Sequence, residues 1–366
     1  MTGCGAGIQK RELSGMTQGR TWKKYICEGV CLALLFLLTG CGGIGERTAN
    51  ATQRIQNLDY EGALEELAAA EEAGENQRLI ERSRGIAYMG LTDYGQAAEA
   101  FLRSLAQSNG FVQDIDFDTN YYLAAAYTKD GRYSEAEDAY NAILELRPKE
   151  EDAYFLRGNV RMNLGDFQGA KEDFDKVLSM DARNYDRLIE IYEILAYFGY
   201  TEEGQEYLQT ALASADKKMS NFSRGRIYYY LGEYQKACLA LEEARGEGSA
   251  ESYLYLGRAY EATGDYNYAA SVYSNYLGQY EGNAEVYNQL GLCEMAKGEY
   301  SKALEAFQAG MQLENSTMMQ TLSFNEIAAY EYLGEYERAY VLINNYLKNY
   351  PDDQQARREY DFLSTR

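Results

Sequence analysis

The sequence contains no histidine. Histidine is the commonest general base near neutral pH and a frequent metal ligand. Its absence excludes every catalytic or metal site that requires an imidazole side chain. The chain also has no G-x-S-x-G elbow, no phosphate-binding G-x-x-x-x-G-K and no zinc-type cysteine spacing. We therefore expect neither an enzyme nor a bound cofactor or metal, although a glycan-processing enzyme built on two carboxylates stays a weaker alternative.

Basic residues are scarce. The chain has 35 Lys and Arg against 57 Asp and Glu, a formal net charge of −22. Residues 1–40 hold five basic and two acidic residues, a charge of +3, so the remainder carries −25. Binding to nucleic acid requires a basic surface that neutralises phosphates, and none is present after residue 41. We expect a protein or peptide partner and no nucleic acid.

Only two prolines interrupt 366 residues, which leaves room for long helices. The stretch from Ala250 to Asn283 shows two amphipathic faces with helical spacing, separated by Gly264-Asp265. The first face carries Tyr253, Leu256, Gly257 and Tyr260, and the second carries Ala269, Tyr273, Tyr276 and Tyr280. This stretch predicts a helix, a tight turn and a second helix.

The same pattern recurs along the chain with a period close to 34 residues. Nine units place a small residue in the second helix: Ala63, Ala97, Ala136, Ala170, Gly204, Ala237, Ala269, Ala303 and Ala339. Seven units have a glycine in the turn, and Leu58 and Thr92 replace it in the first two. Gly85, Gly158, Gly225, Gly257 and Gly291 share one offset in the first helix, where Tyr192 and Ile327 stand in two other units. Glycine inside a helix is unfavourable, so these positions indicate close helix packing.

These residues resemble the tetratricopeptide repeat, which has an aromatic residue, Leu-Gly and Tyr on one helix and Ala on the next. The resemblance implies an all-α solenoid of about nine helical pairs over residues 46–350, with a capping helix and tail over 351–366. In that family the first helices line a concave groove that holds peptides or extended protein segments. The groove residues implied here are Tyr121, Phe155, Met162, Tyr197, Phe222, Tyr229, Tyr230, Leu254, Met295, Phe324 and Tyr332.

Two interpretations of these side chains stay open. They line a ligand groove, or they pack between neighbouring first helices. The second interpretation applies above all to the phenylalanines. For Tyr197, Tyr229, Tyr230 and Tyr332 we expect exposure.

The start of the chain has the features of an export signal. Lys23-Lys24 precede an apolar run from Val30 to Leu38, and Leu38-Thr39-Gly40-Cys41 follows. This resembles a bacterial lipoprotein signal peptide, which implies cleavage after residue 40 and a lipid on Cys41. The nine apolar residues are too few for a membrane span, which needs about 20. We expect residues 1–40 to be a leader, with Met16 as a possible true start, and 41–45 to be a flexible tether.

Two further sets of residues carry expectations. Cys238 and Cys293 remain after the leader and Cys41, and they lie two units apart, so we expect buried free thiols. The segment from Gln107 to Phe117 lengthens one period to 39 residues and predicts a loop. Asp114, Asp116 and Asp118 within or beside it lack the glycine and glutamate of a calcium loop, so a solvated loop leading to a helix cap is expected.

Taken together, the sequence predicts a lipid-anchored scaffold on the extracytoplasmic side of a bacterial membrane. It would bind a protein or peptide in a tyrosine-rich groove. The main alternative is a structural component of an envelope or secretion assembly, in which both faces of the repeat are covered. Neither interpretation names the partner.

Overall fold

In the computed structural model, the described residues are 45–108, 110–215, 218–247, 249–280, 282–314 and 316–366. They are helical, with no strand among them. The helices of the first five pairs are α1 Glu46–Gln56, α2 Tyr60–Glu72, α3 Gln77–Gly90, α4 Tyr94–Ala106, α5 Asp114–Lys129, α6 Tyr133–Leu146, α7 Glu151–Leu164, α8 Phe167–Met180, α9 Tyr185–Tyr197 and α10 Thr201–Ala213. The remaining helices are α11 Asn221–Tyr230, α12 Tyr234–Ala244, α13 Ala250–Ala262, α14 Tyr266–Gln279, α15 Ala284–Ala296, α16 Tyr300–Met311, α17 Met319–Tyr332, α18 Tyr336–Asn349 and α19 Gln354–Leu363. The predicted fold class, nine helical pairs followed by one more helix, is confirmed.

The predicted leader, Cys41 and most of the tether lie outside the described residues. Among the described residues, no helix has the length and the apolar character required to cross a bilayer.

The turn inside each pair explains the glycine periodicity. The seven predicted turn glycines all have a positive φ, between 74° and 89°. A left-handed residue ends the first helix, and glycine takes this conformation without a steric penalty. Where the next residue is aspartate, its carboxylate accepts a hydrogen bond from the second helix, as Asp265 does from the Tyr268 amide at 3.0 Å. Leu58 and Thr92 adopt the same conformation, with φ of 62° and 61°.

The nine predicted small residues are all buried in the second helices. The first-helix glycines have a related role. A Cβ added to Gly257 would lie 2.2 Å from Cζ of Tyr273, and one added to Gly291 would lie 2.3 Å from Cε1 of Phe307. The missing side chain therefore makes room for a large ring from the second helix.

Two of the four units that lack this glycine carry a large residue in its place. Tyr192 and Ile327 fill the first-helix position, and the second-helix residues sixteen places later are Leu208 and Ile343, both fully buried. In these two units an aliphatic side chain stands at the position that Tyr273 and Phe307 occupy opposite a glycine.

The helices form two compact units. Unit 1 runs to Asn184 and includes Glu193–Tyr200, and unit 2 comprises Tyr185–Tyr192 and Thr201–Arg366. The core of unit 1 includes Leu67, Phe101, Tyr122, Tyr140 and Ile143. Unit 2 has buried clusters around Leu256 and Tyr273, around Phe307 and Leu322, and around Ile343 and Leu363.

Unit 1 also buries a charged group. The carboxylate of Asp173 on α8 accepts hydrogen bonds from Nη2 and Nε of Arg157, at 2.6 and 2.9 Å, and from Nη1 of Arg161 at 3.0 Å. Paired, multiply hydrogen-bonded charges of this kind are tolerated in a core, whereas an unpaired one is not.

The lengthened period is only partly a loop. α4 ends at Ala106 and α5 begins at Asp114, so Asp114–Phe117 form an extra helical turn. Asp116 is buried and paired with Arg78, and Asp118 is paired with Arg82. The prediction of a solvated loop is therefore wrong from Asp114 onward, because arginines on α3 hold these carboxylates on a helix. The prediction of a helix cap is confirmed, since Gln113 and Asp116 form a capping box.

Cys238 and Cys293 are free and buried, as predicted. Burial raises the pKa of the Cys238 thiol to about 11. Burial also raises the pKa of Cys293, and the neighbouring Glu261 carboxylate adds to that effect. Both thiols are therefore protonated and unreactive near neutral pH.

Candidate binding surface on the first helices

Unit 1 contains four of the predicted groove residues. Tyr121 is half-buried with its ring 6.2 Å from that of Tyr140, and burial together with nearby carboxylates raises its pKa. Phe155 is half-buried 6.3 Å from Phe174, and Met162 is buried. Tyr197, at the end of α9, is 61% exposed. In unit 1 only Tyr197 presents most of its side chain to solvent, and the other three pack against neighbouring helices.

Unit 2 brings three of the predicted residues into one aromatic cluster. Phe222, Tyr229 and Tyr230 on α11 surround Tyr255 of α13, with ring centroids 6.1, 5.7 and 6.1 Å from it. The hydroxyls of Tyr230 and Tyr255 lie 3.0 Å apart. Burial raises the pKa of Tyr229 to about 12, so its hydroxyl stays neutral. The expectation that Tyr229 and Tyr230 are exposed is met only in part, since both are half-buried by this cluster.

Two arginines complete the cluster. The Arg226 guanidinium lies 5.2 Å from the ring centres of both Phe222 and Tyr255, and it pairs with Asp186. Arg258 lies 5.9 Å from the Tyr255 ring and donates to Glu285 at 2.6 Å. Guanidinium groups stack favourably on aromatic faces at this range. We call Phe222, Arg226, Tyr229, Tyr230, Tyr255 and Arg258 the aromatic-arginine cluster.

Both arginines retain an unused donor. The Nε atoms of Arg226 and Arg258 are buried and have no hydrogen-bond partner among the described residues. By contrast, the side chain of Asp186, which pairs with Arg226, is 75% exposed, and that of Glu285, which pairs with Arg258, is 43% exposed. A buried donor without an acceptor is unfavourable, and an acceptor supplied by a ligand would remove that cost.

The remaining four predicted residues are dispersed through unit 2. Leu254 is buried, and Met295 is half-buried beside the cluster of Ala303 and Phe307. Phe324 is half-buried with its ring 5.7 Å from Tyr346. Tyr332 is 45% exposed and stacks on Tyr300 at 5.0 Å. Of these four residues, Tyr332 has the most exposed side chain.

Tyr255, Arg226 and Arg258 are not among the predicted groove residues. A signal for the arginines exists in the sequence. Arg226 and Arg258 each stand eleven residues before the small second-helix residue, Ala237 and Ala269. Equal offsets place both on the same face of successive first helices. Tyr255 carries no such signal, because only the packing of α11 against α13 brings it between them.

The sequence model of the tetratricopeptide repeat family matches residues 82–151, 222–284 and 254–312, and a second tetratricopeptide repeat model matches residues 151–184. The chain is a tetratricopeptide repeat protein. These matches include α11 and α13, so the aromatic-arginine cluster stands on two tetratricopeptide repeats of unit 2.

Among curated proteins, this tetratricopeptide repeat protein is 26% identical over 196 residues to RNA polymerase II-associated protein 3 of Xenopus tropicalis, covering 54% of this chain and 27% of that protein. It is 24% identical over 200 residues to a TPR repeat-containing protein of Methanocaldococcus jannaschii, covering 51% of this chain and 34% of that protein. The chain thus spans about a third or less of the length of these relatives.

Solved tetratricopeptide repeat structures are also similar. One from Parabacteroides merdae has 13% identity and a TM-score of 0.44, covering 69% of this chain and 98% of the other. The Cut9–Hcn1 hetero-tetramer of APC/C has 15% identity and a TM-score of 0.41, covering 87% of this chain and 83% of the other. These likenesses concern the fold alone.

Proposed function

We propose that this tetratricopeptide repeat protein is a lipid-anchored extracytoplasmic scaffold that binds a peptide or an extended protein segment on the first helices of unit 2. The observation that carries the binding proposal is the aromatic-arginine cluster. It combines half-buried tyrosines with two arginines whose buried Nε atoms have no acceptor among the described residues. Tyrosine and arginine are the side chains most enriched where proteins bind one another tightly.

The cluster favours a partner segment of defined chemistry. Tyrosine rings offer apolar area for an aliphatic or aromatic side chain, and their hydroxyls reach water at the edge. The arginines favour a carbonyl or carboxylate acceptor. Since the side chains of Asp186 and Glu285 are 75% and 43% exposed, they can rotate into solvent when a ligand acceptor replaces them. The preferred ligand is therefore an extended segment with a bulky apolar residue close to an acceptor group.

The binding proposal is tested by pairing two variants of α11. Tyr229→Ala with Tyr230→Ala removes two rings of the cluster, whereas Tyr228→Ala removes an adjacent tyrosine outside it. A photo-crosslinking residue at position 251, where the exposed Glu251 lies beside Arg226 but outside the cluster, reports the partner in the native cell. We expect the double variant to lose the crosslinked species and Tyr228→Ala to keep it, with equal far-UV circular dichroism. Equal crosslinking in both variants would place the binding surface elsewhere.

The anchor is supported by the sequence from Leu38 to Cys41. Its test is Cys41→Ala, which removes the thiol that would carry the lipid. We expect loss of lipid labelling and accumulation of uncleaved protein. Labelling that persists in this variant would refute the anchor.

The alternative function is a structural part of an envelope or secretion assembly. In such an assembly, a partner would also cover the surface formed by the second helices. Leu239 on α12 is well exposed and lies on a second helix. A crosslinker at Leu239 that captures a partner in fixed stoichiometry would favour the structural role over ligand binding.

A further inference from the structure

One edge of unit 1 is joined by hydrogen bonds between the ends of successive helices. The amides of Arg47 and Thr48, at the start of α1, donate to the Glu75 carboxylate at 3.0 and 2.9 Å. Glu75 stands just before α3, whose first turn contains Arg78. The start of α1 and the start of α3 therefore lie side by side.

The same edge continues to α5 and α6. Arg78 donates to the Gln113 side chain at 2.9 Å, just before the start of α5. Arg147, just after the end of α6, donates to Asp114 at 2.6 Å. The N-termini of α1, α3 and α5 and the C-terminus of α6 thus share one edge, which we call the N-terminal edge.

Three large apolar side chains project from the N-terminal edge into solvent. Phe111 is 77% exposed and Val112 is 52% exposed, and they directly precede Gln113. Leu146, which directly precedes Arg147, is 57% exposed. Exposed adjacent apolar residues of this size carry a cost that a contact with an apolar phase would remove.

Charge beside these residues is largely balanced. The carboxylates of Asp114 and Asp116, which follow Val112 closely, are paired with Arg147 and Arg78. These two pairs neutralise the carboxylates that lie closest in sequence to Val112. An apolar surface with compensated charge is compatible with a neutral lipid interface.

The length of the tether decides what this edge faces. Gly45 directly precedes α1 on the N-terminal edge, and Cys41 is four residues before it. Four extended residues span at most about 14 Å. A lipid on Cys41 would therefore hold the N-terminal edge within that distance of the bilayer surface.

We propose that the N-terminal edge of unit 1 docks on the lipid bilayer and that Phe111 and Val112 enter its interfacial region beside the lipidated Cys41. This inference rests on the proposed lipid anchor. Apolar side chains presented by an anchored protein bury about 5–10 Å into the boundary between headgroups and acyl chains. The lengthened period then supplies a second membrane contact.

A tryptophan probe tests the docking in the full chain. The sequence has one tryptophan, Trp22, in the predicted leader. With Trp22→Phe as background, Phe111→Trp gives a single reporter on the N-terminal edge. Leu164→Trp is the matched control, because α7 begins near this edge and its fourteen residues carry Leu164 about 20 Å away. Both lipidated proteins are reconstituted in phosphatidylcholine vesicles with or without brominated acyl chains.

We expect both proteins to float with the vesicles, and the emission at position 111 to shift to the blue and be quenched by brominated lipid. Position 164 should show neither change. Flotation without quenching at position 111 would overturn the docking while leaving the anchor intact, and would assign Phe111 and Val112 to a protein contact. Failure of both proteins to float would overturn the anchor and the docking together.

Discussion

Leu58 and Thr92 offer a direct test of how the turns determine stability. They stand in the left-handed conformation that glycine occupies in the seven later turns. For an L-residue this conformation costs about 1–2 kcal/mol. Replacement by glycine removes that cost but gives the unfolded chain more freedom, which opposes the gain by about 0.4–1 kcal/mol. Each substitution should therefore stabilise the protein by roughly 0.5–1 kcal/mol.

Few other effects of these two substitutions would change the free energy of unfolding. Both side chains are exposed, so truncation removes little buried apolar surface. The two turns are independent, and Leu58→Gly with Thr92→Gly should gain about 1–2 kcal/mol if the effects add. Gly131→Ala is the inverse control. An added Cβ there meets no atom within 4 Å, so its destabilisation would report backbone conformation alone.

The measurement is the midpoint of urea unfolding, followed by far-UV circular dichroism at fixed protein concentration. The double glycine variant should have a higher midpoint than the parent chain, and Gly131→Ala should have a lower one. A urea midpoint below that of the parent chain for Leu58→Gly and for Thr92→Gly would refute this explanation of the turns. It would mean that the added freedom of the unfolded chain outweighs the strain in these turns.

The other predictions concern packing, a buried charge and pH. Gly257→Ala should destabilise the chain by about 1–3 kcal/mol through the clash with Tyr273, and a smaller residue in place of Tyr273 should restore part of the loss in thermal unfolding. Asp173→Ala should cost about 3 kcal/mol in urea unfolding, because Arg157 loses its paired carboxylate, whereas Arg161 keeps its ion pair with Glu137. Burial and the adjacent Glu359 carboxyl raise the pKa of Glu331 to about 8, so the native state holds a proton that the unfolded state releases at lower pH. Stability should therefore fall as pH rises from the ordinary carboxyl range to about 8, and Glu331→Gln should flatten this slope in thermal melts at pH 5 to 9.

The sequence predicted the repeat and its register because helix packing constrains residue size at fixed intervals. A side chain larger than alanine at positions such as Ala269 would prevent close approach of the helices, and a left-handed turn favours glycine at positions such as Gly264. These requirements act locally in every unit. The small residue therefore recurs in nine units and the turn glycine in seven, and the period can be recognised from the sequence alone.

The predicted groove was less accessible to sequence reasoning. The offset of a residue fixes the face of the helix on which it lies, but not how much of that face the neighbouring helix covers. Tyr197 and Tyr332 are exposed, whereas Met162 and Leu254 at equivalent faces are buried. Whether these residues bind a ligand remains a prediction.

The sequence by itself determined the helical pairs, their small contact residues, the turns and the free cysteines, since each depends on local geometry or spacing. Only the tertiary structure decided which aromatic rings cluster around Tyr255, how Arg226 and Arg258 are paired, and how the lengthened period divides into a loop and an extra helical turn. These features depend on side chains from different helices that compete for the same space and the same charges. Their outcome is set by three-dimensional packing, which a one-dimensional period does not contain.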